Sequence, residues 1–185
     1  LSSLCRVRQD TAKALLVNNG DHPLAPVSVL LQLGSLFHDF SGHDLDAAVW
    51  LTGEFPSHLY AVGNNFIPEL KQAGLLDSGL ILLTFPSGTI AALSGRRCAV
   101  HGYDQRIEVF GHSGNLYRAQ DPLLTSAETH TAAGLQQANL HYTFSDRYRE
   151  AYGNEVEHFC DVVSGGAPRT SLLESKAVAL LADAC

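Results

Sequence analysis

Three side chains of the segment Phe37-His38-Asp39-Phe40-Ser41-Gly42-His43-Asp44-Leu45-Asp46 could move a proton. Asp39, His43 and Asp46 are spaced by four and then three residues. On one α-helix, turning by about 100° per residue, they fall within roughly 60° of one another. A carboxylate one turn from an imidazole can orient the ring and stabilise the imidazolium that forms when it accepts a proton. The same three side chains, with His38 nearby, are also oxygen and nitrogen donors to a divalent cation. No fourth ligand is evident elsewhere in the chain, however, so no metal is expected. The plainest alternative is a surface pair worth a few tenths of a kcal/mol.

The elements that must position these residues follow from the pattern around them. Residues 34–51 have helical periodicity, with Phe37, Phe40, Ala47 and Leu51 at core spacing and Gly53 as C-terminal cap. Before them, residues 4–8 alternate apolar and basic residues as a half-buried strand does. Residues 11–33 carry Asn18-Asn19-Gly20-Asp21-His22-Pro23 and Pro26, and read as a long connection with one short element. Short strands are predicted at 57–62, 79–85, 89–94, 97–101, 106–110 and 115–119. Pro86-Ser87-Gly88 and Gly111-His112-Ser113-Gly114 supply turns for an antiparallel meander. A late helix runs through Tyr148, Tyr152, Val156, Phe159 and Val163 to Gly165-Gly166. The capping box Ser171-Leu172-Leu173-Glu174 then opens a terminal helix with Ala177, Leu180 and Leu181 facing inward. The fold class is α+β: an open, mostly antiparallel sheet with helices packed on one face.

Composition narrows the function. The 185 residues are 45% hydrophobic and 17% charged, which suits one domain spanning 1–185. A net charge of -7 without a run of Lys or Arg argues against nucleic acid. No apolar run approaches the roughly 18 residues that span a bilayer. Cys5, Cys98, Cys160 and Cys185 are scattered without a C-x-x-C pair, so a reducing, cytoplasmic setting is expected. The absence of methionine, even at position 1, suggests a fragment or a processed chain.

The blocks Gly34-Ser35-Leu36-Phe37-His38-Asp39, His43-Asp44-Leu45-Asp46 and Trp50-Leu51-Thr52-Gly53-Glu54 resemble the catalytic-motif helix of the Gfo/Idh/MocA oxidoreductases. The run from Gly102-Tyr103-Asp104-Gln105-Arg106 to Gly111 resembles a strand of the inositol 2-dehydrogenases in that family, and residues 144–159 resemble their aromatic-and-Glu helix. The order of these blocks is similar to that of the family's C-terminal domain over nearly the whole chain. The resemblance implies a substrate-binding domain whose open sheet supports a homo-oligomer. It also implies oxidation of a secondary alcohol of a polyol or sugar, with hydride passing to NAD or NADP in a separate Rossmann domain. On this reading His43 is the base, Asp39 its partner, and Tyr103, Asp10 and Asp46 are substrate-binding candidates.

The chain departs from the family's pattern at residues 11–33, which read as longer and less proline-rich than the usual linker into the catalytic helix, and in two motifs. It holds no G-x-G-x-x-G, and none of Lys13, Lys71 and Lys176 lies between Glu and Pro as the family's catalytic lysine does. Alone, the chain is expected to be inactive. The rival reading is a non-enzymatic dimerisation or scaffold module descended from such an enzyme.

Overall fold

The computed structural model describes residues 12–20, 26–119 and 123–185. The strand expected at 4–8 and the candidate Asp10 lie outside them. Six strands form one sheet: β1 (Ala12–Gly20), β2 (His58–Asn64), β3 (Ser78–Thr84), β4 (Ile90–Arg96), β5 (Asp104–Gly111) and β6 (Leu116–Ala119), in the order β2-β3-β4-β1-β5-β6. Every pairing is antiparallel except β1 with β4. The helices between β1 and β2 are α1 (Val27–Leu33), α2 (Leu36–Asp39) and α3 (Ser41–Thr52), and α4 (Pro68–Gln72) joins β2 to β3. A small hairpin of β7 (Glu128–Thr131) and β8 (Gly134–Gln137) precedes α5 (Phe144–Arg147), α6 (Arg149–Val163) and α7 (Leu172–Asp183). The expected α+β class with a mostly antiparallel open sheet is what the chain adopts.

The core lies between one face of the sheet and α2, α3 and α7. Leu15, Val17, Ile81, Leu83, Leu93 and Val109 from the strands meet Phe37, Leu45, Ala48 and Leu51 from α2 and α3 and Val178 and Ala182 from α7. The period-2 alternation that buries Ile81 and Leu83 turns Leu80 and Leu82 outward, 55% and 53% exposed. Tyr60, Val62, Ile90 and Leu16 join them on an apolar open face. As expected, Gly53 ends α3 in the left-handed region (φ 71°) and the Ser171/Glu174 capping box opens α7.

Four expectations are corrected. Residues 11–33 hold β1, a central strand of nine residues, as well as α1. The turn-forming Asn18-Asn19-Gly20 masks it, although its Leu15 and Val17 are buried between β4 and β5. Residues 97–101 are not a strand: the chain leaves β4 at Arg97, whose backbone N–H donates to the Asp77 carbonyl at 2.8 Å, and turns so that the Gly102 N–H reaches the Ala99 carbonyl. The helix read over 34–51 is two helices broken at Phe40 (φ -104°, ψ -57°), just ahead of Ser41 and Gly42, which favour helix interiors weakly. Leu180, expected inward, is 58% exposed, because Val178 and Ala182 carry the buried stripe of α7.

Two glycines permit close approach. Gly63, Gly79 and Gly95 lie in one row across β2, β3 and β4. A Cβ on Gly79 would sit 2.9 Å from the Phe37 ring and 3.0 Å from Leu36, so the bare strand is what lets the four-residue α2 settle onto the sheet. Gly102 (φ 123°) lets residues 140 and 141 cross tightly, and a Cβ there would meet Leu140 at 2.7 Å. Gly79→Ala is therefore expected to lower stability by about 1–3 kcal/mol through overpacking. The urea midpoint measures it, and an unchanged midpoint would show that α2 is not held by this contact.

Candidate functional site

A helix of four residues has no independent stability, so α2 depends on its anchors. Leu36 and Phe37 are buried against the sheet, and the Ser35 side chain caps the helix by accepting the His38 N–H. The His38 ring contacts Ser35 Oγ through Nδ1 at 2.8 Å and Asp183 of α7 through Nε2 at 2.7 Å. His38 is thus tied to the C-terminal helix. Asp39, at the end of α2, accepts a 2.7 Å hydrogen bond from Nη1 of Arg97, which is 2% exposed and stands just beyond β4. His43 follows in the first turn of α3.

These residues form one wall of a cavity of about 710 Å³. Asp39, Phe40, His43 and Arg97 line that side, and Val29, Leu30 and Leu33 of α1 give an apolar flank. Tyr103 and Gln105 enter from the start of β5. Phe144, Tyr148, Ala151, Tyr152 and Glu155 close the cavity from α5, α6 and the residue between them. The tyrosines are fixed before any ligand arrives. Tyr103 meets Phe144 and Tyr148 edge-on at centroid distances of 6.5 and 5.9 Å, and both Tyr103 and Tyr148 donate their hydroxyls to Gln105 Oε1. The Gln105 amide in turn donates to Asp44 at 3.4 Å. Asp44 is 1% exposed and adjacent to His43 in α3. One amide side chain therefore links α3, β5 and the tyrosine wall. The cavity combines an imidazole, two carboxylates, a guanidinium, three phenols and an amide, a lining dense in hydrogen-bonding groups that suits a molecule rich in hydroxyl groups.

The structure brings Asp39, His43 and Tyr103 together on this cavity. Asp46 is exposed on α3 and does not line it. Of the late tyrosines, Tyr148 and Tyr152 reach the cavity, whereas Tyr142 hydrogen-bonds Asn139 elsewhere. Among the described residues no hydrogen bond joins Asp39 to His43. Arg97, Gln105 and Glu155 were not anticipated. Period-2 alternation from Tyr103 could have found Gln105. Nothing local marks Arg97, which meets its partner across 58 residues.

The same alternation turns Asp104 and Arg106 to the other side of β5. Asp104, 1% exposed, accepts from Arg106 at 2.6 and 3.0 Å and contacts His101 at 3.0 Å and Arg96 at 3.5 Å. Burial by itself pushes the Asp104 carboxyl up, but hydrogen bonds and charge from Arg106 and His101 outweigh it and hold the group below its ordinary value. A carboxyl lowered on folding stabilises the protein above its unfolded pKa, and that contribution is lost as pH falls through the folded value.

Residues 26–117 match the GFO/IDH/MocA C-terminal domain family. The inositol 2-dehydrogenase of Rhizobium meliloti is 37% identical over 152 residues, which cover 82% of this chain and 46% of that protein. The myo-inositol 2-dehydrogenase of Thermotoga maritima is 32% identical over 168 residues, covering 90% and 50%. Among solved structures, a putative myo-inositol dehydrogenase from Sinorhizobium meliloti superposes with a TM-score of 0.91 at 33% identity, over 98% of this chain and 58% of that one. The chain spans about half the length of the curated relatives it matches.

Asp104→Asn is expected to cost about 1–3 kcal/mol at pH 7. Urea unfolding across pH should show the gap to wild type closing below about pH 4, as the wild-type carboxyl protonates. A gap independent of pH would remove the ionised carboxylate from the account.

Proposed function

Because the chain carries a C-terminal domain of the GFO/IDH/MocA family, we propose that it is the substrate-binding and catalytic half of an NAD- or NADP-dependent dehydrogenase acting on a polyol or sugar of the inositol kind. The observation that carries this reading is the convergence of Asp39, His43, Tyr103, Tyr148 and Gln105 on one cavity. In the proposed reaction a secondary alcohol becomes a ketone: the O–H proton passes to His43, and the C–H hydrogen leaves with its electron pair. The dinucleotide supplies the hydride acceptor. Residues 1–185 hold no G-x-G-x-x-G and so no turn of the usual kind for a pyrophosphate, and in this proposal the cofactor is held by a Rossmann domain outside them.

The remaining roles fall to this chain's own groups. His43 accepts the proton as a neutral imidazole, and Asp39 lies at the end of α2, one break earlier in the chain. Tyr103 and Tyr148, held by Gln105, hydrogen-bond substrate hydroxyls while their rings pack against the C–H faces of a cyclic polyol. The pre-set geometry lowers the entropy lost on binding. Residues 1–185 act as one domain with a second task. The apolar open face, with Leu80, Leu82, Tyr60 and Ile90 each more than half exposed, is where a second copy associates. The setting is the cytoplasm, in keeping with the exposed free thiols of Cys98 and Cys160. Among the described residues no helix is long and apolar enough to cross a membrane.

The natural full-length protein is expected to reduce NAD or NADP with myo-inositol or a related polyol. His43→Ala should lower kcat by on the order of a hundredfold or more, followed by absorbance of the reduced cofactor. Unchanged turnover in that variant removes His43 as the base. Sedimentation of the wild-type chain is expected to report a dimer or larger species at micromolar concentration, with Leu82→Glu shifting it toward monomer. A wild-type monomer would remove the oligomerisation role.

A further inference from the structure

The amide of Gln105 is oriented from behind the cavity wall. Its Nε2 donates to Asp44 Oδ1 at 3.4 Å, and Asp44 is 1% exposed within α3. A carboxylate accepts hydrogen bonds and has none to give, so the amide nitrogen belongs on the α3 side and Oε1 on the other. A flipped amide would set oxygen against oxygen. On its far side Oε1 accepts from the Tyr103 hydroxyl at 3.3 Å and from the Tyr148 hydroxyl. The two rings hold each other edge-on at 5.9 Å, and Tyr103 is 9% exposed, so neither phenol is placed to swing away.

A phenol carries a single O–H. When that hydrogen is directed to Gln105, the oxygen offers a ligand in the cavity its lone pairs. Two phenol oxygens that share one acceptor atom stand side by side, and Glu155 of α6 lines the same cavity with a carboxylate. A free substrate hydroxyl can donate to this wall, whereas an ether or ketone oxygen brings lone pairs against lone pairs. The carbon that is oxidised ends as a ketone, which only accepts, and so belongs at His43, whose protonated ring can donate to it. We propose that Gln105 is a positioning residue that sets specificity: by accepting from both phenols it makes Tyr103 and Tyr148 hydrogen-bond acceptors, so the site selects a polyol with neighbouring free hydroxyls away from the carbon that reacts. The proposal rests on the reading of this cavity as a polyol site and adds the direction in which its hydrogen bonds run.

The test uses the natural full-length protein with NAD or NADP and compares myo-inositol with analogues in which one hydroxyl is replaced by hydrogen or by fluorine. Fluorine is close to hydroxyl in size and can accept weakly but never donate. For each ring position kcat/KM is measured by turnover and Kd by calorimetry. The position facing the tyrosines is the one at which Tyr148→Phe ceases to discriminate hydroxyl from hydrogen, and the lack of any such position overturns the proposal. There, in the wild type, both replacements are expected to lower kcat/KM by on the order of a hundredfold, with the fluoro analogue no better than the deoxy one. A fluoro analogue that surpasses the deoxy one overturns the proposal, because the phenols are then donors. Gln105→Met substitutes an apolar side chain of similar length and lets both O–H groups turn toward the cavity. In that variant the fluoro analogue is expected to overtake the deoxy one by about threefold. A purely structural glutamine would weaken all the ligands alike, so an unchanged order in folded Gln105→Met overturns the proposal. Where that variant does not fold, the wild-type order and Tyr148→Phe carry the test. Binding in the expected order without reduction of NAD or NADP would overturn the dehydrogenase reading and leave the hydrogen-bond direction standing; oxidation of myo-inositol with fluoro ahead of deoxy does the reverse. Binding of none of these ligands overturns both.

Discussion

The seating of α2 on the bare backbone of Gly79 is the contact on which the site depends. Four residues cannot hold themselves in a helix, and this one is held because a side chain is missing from the strand beneath Phe37 and Leu36. From that seat Asp39 reaches the buried Arg97 at the end of β4, and the chain breaks at Phe40 before α3 carries His43. A larger residue at 79 would lift α2 and move the carboxylate away from its guanidinium. The chemistry of the cavity thus begins with a packing constraint.

β5 sorts two polar systems by the pleat of a strand. Tyr103 and Gln105 face the cavity and form a neutral network of phenols and an amide that ends on Asp44. Asp104 and Arg106 face the other way and form an ionic cluster with His101 and Arg96. The separation has a physical use. Neutral groups on the cavity side present hydroxyls and an amide without a strong field, while the charges that tie the turn after β4 to β5 remain out of the site.

Much of the fold was legible because its signals are local. The Pro86-Ser87-Gly88 hairpin, the cap at Gly53 and the Ser171/Glu174 box are short-range chemistry, and each forms where the sequence places it. β1 was hidden because the two strands that bury Leu15 and Val17 lie far along the chain, while the asparagines at its end speak for a turn. Of the residues on the candidate cavity, Asp39 and His43 were singled out by residue type and spacing, and Tyr103 through the family resemblance. The shared helix face was not legible, because Phe40 interrupts the helix. Arg97 could not be read at all: a charged residue beside a strand looks solvated until the fold encloses it.

The parallel pairing of β1 with β4 also sets an order on how the chain assembles. Ala14 meets Ile90 only after all the intervening elements have been looped out, whereas β2, β3 and β4 pair through neighbouring connections. Closing a long loop costs entropy that local hairpins avoid, so β2-β3-β4 can form early and β1 enters the sheet late. Because β1 also provides the edge on which β5 pairs, the tyrosine and amide wall of the cavity waits for it. The helix pair bearing Asp39 and His43 can gather on the early strands, and the opposite wall arrives with the last strand to dock. On loop-closure grounds the opposite wall of the site is expected to form after β2-β3-β4.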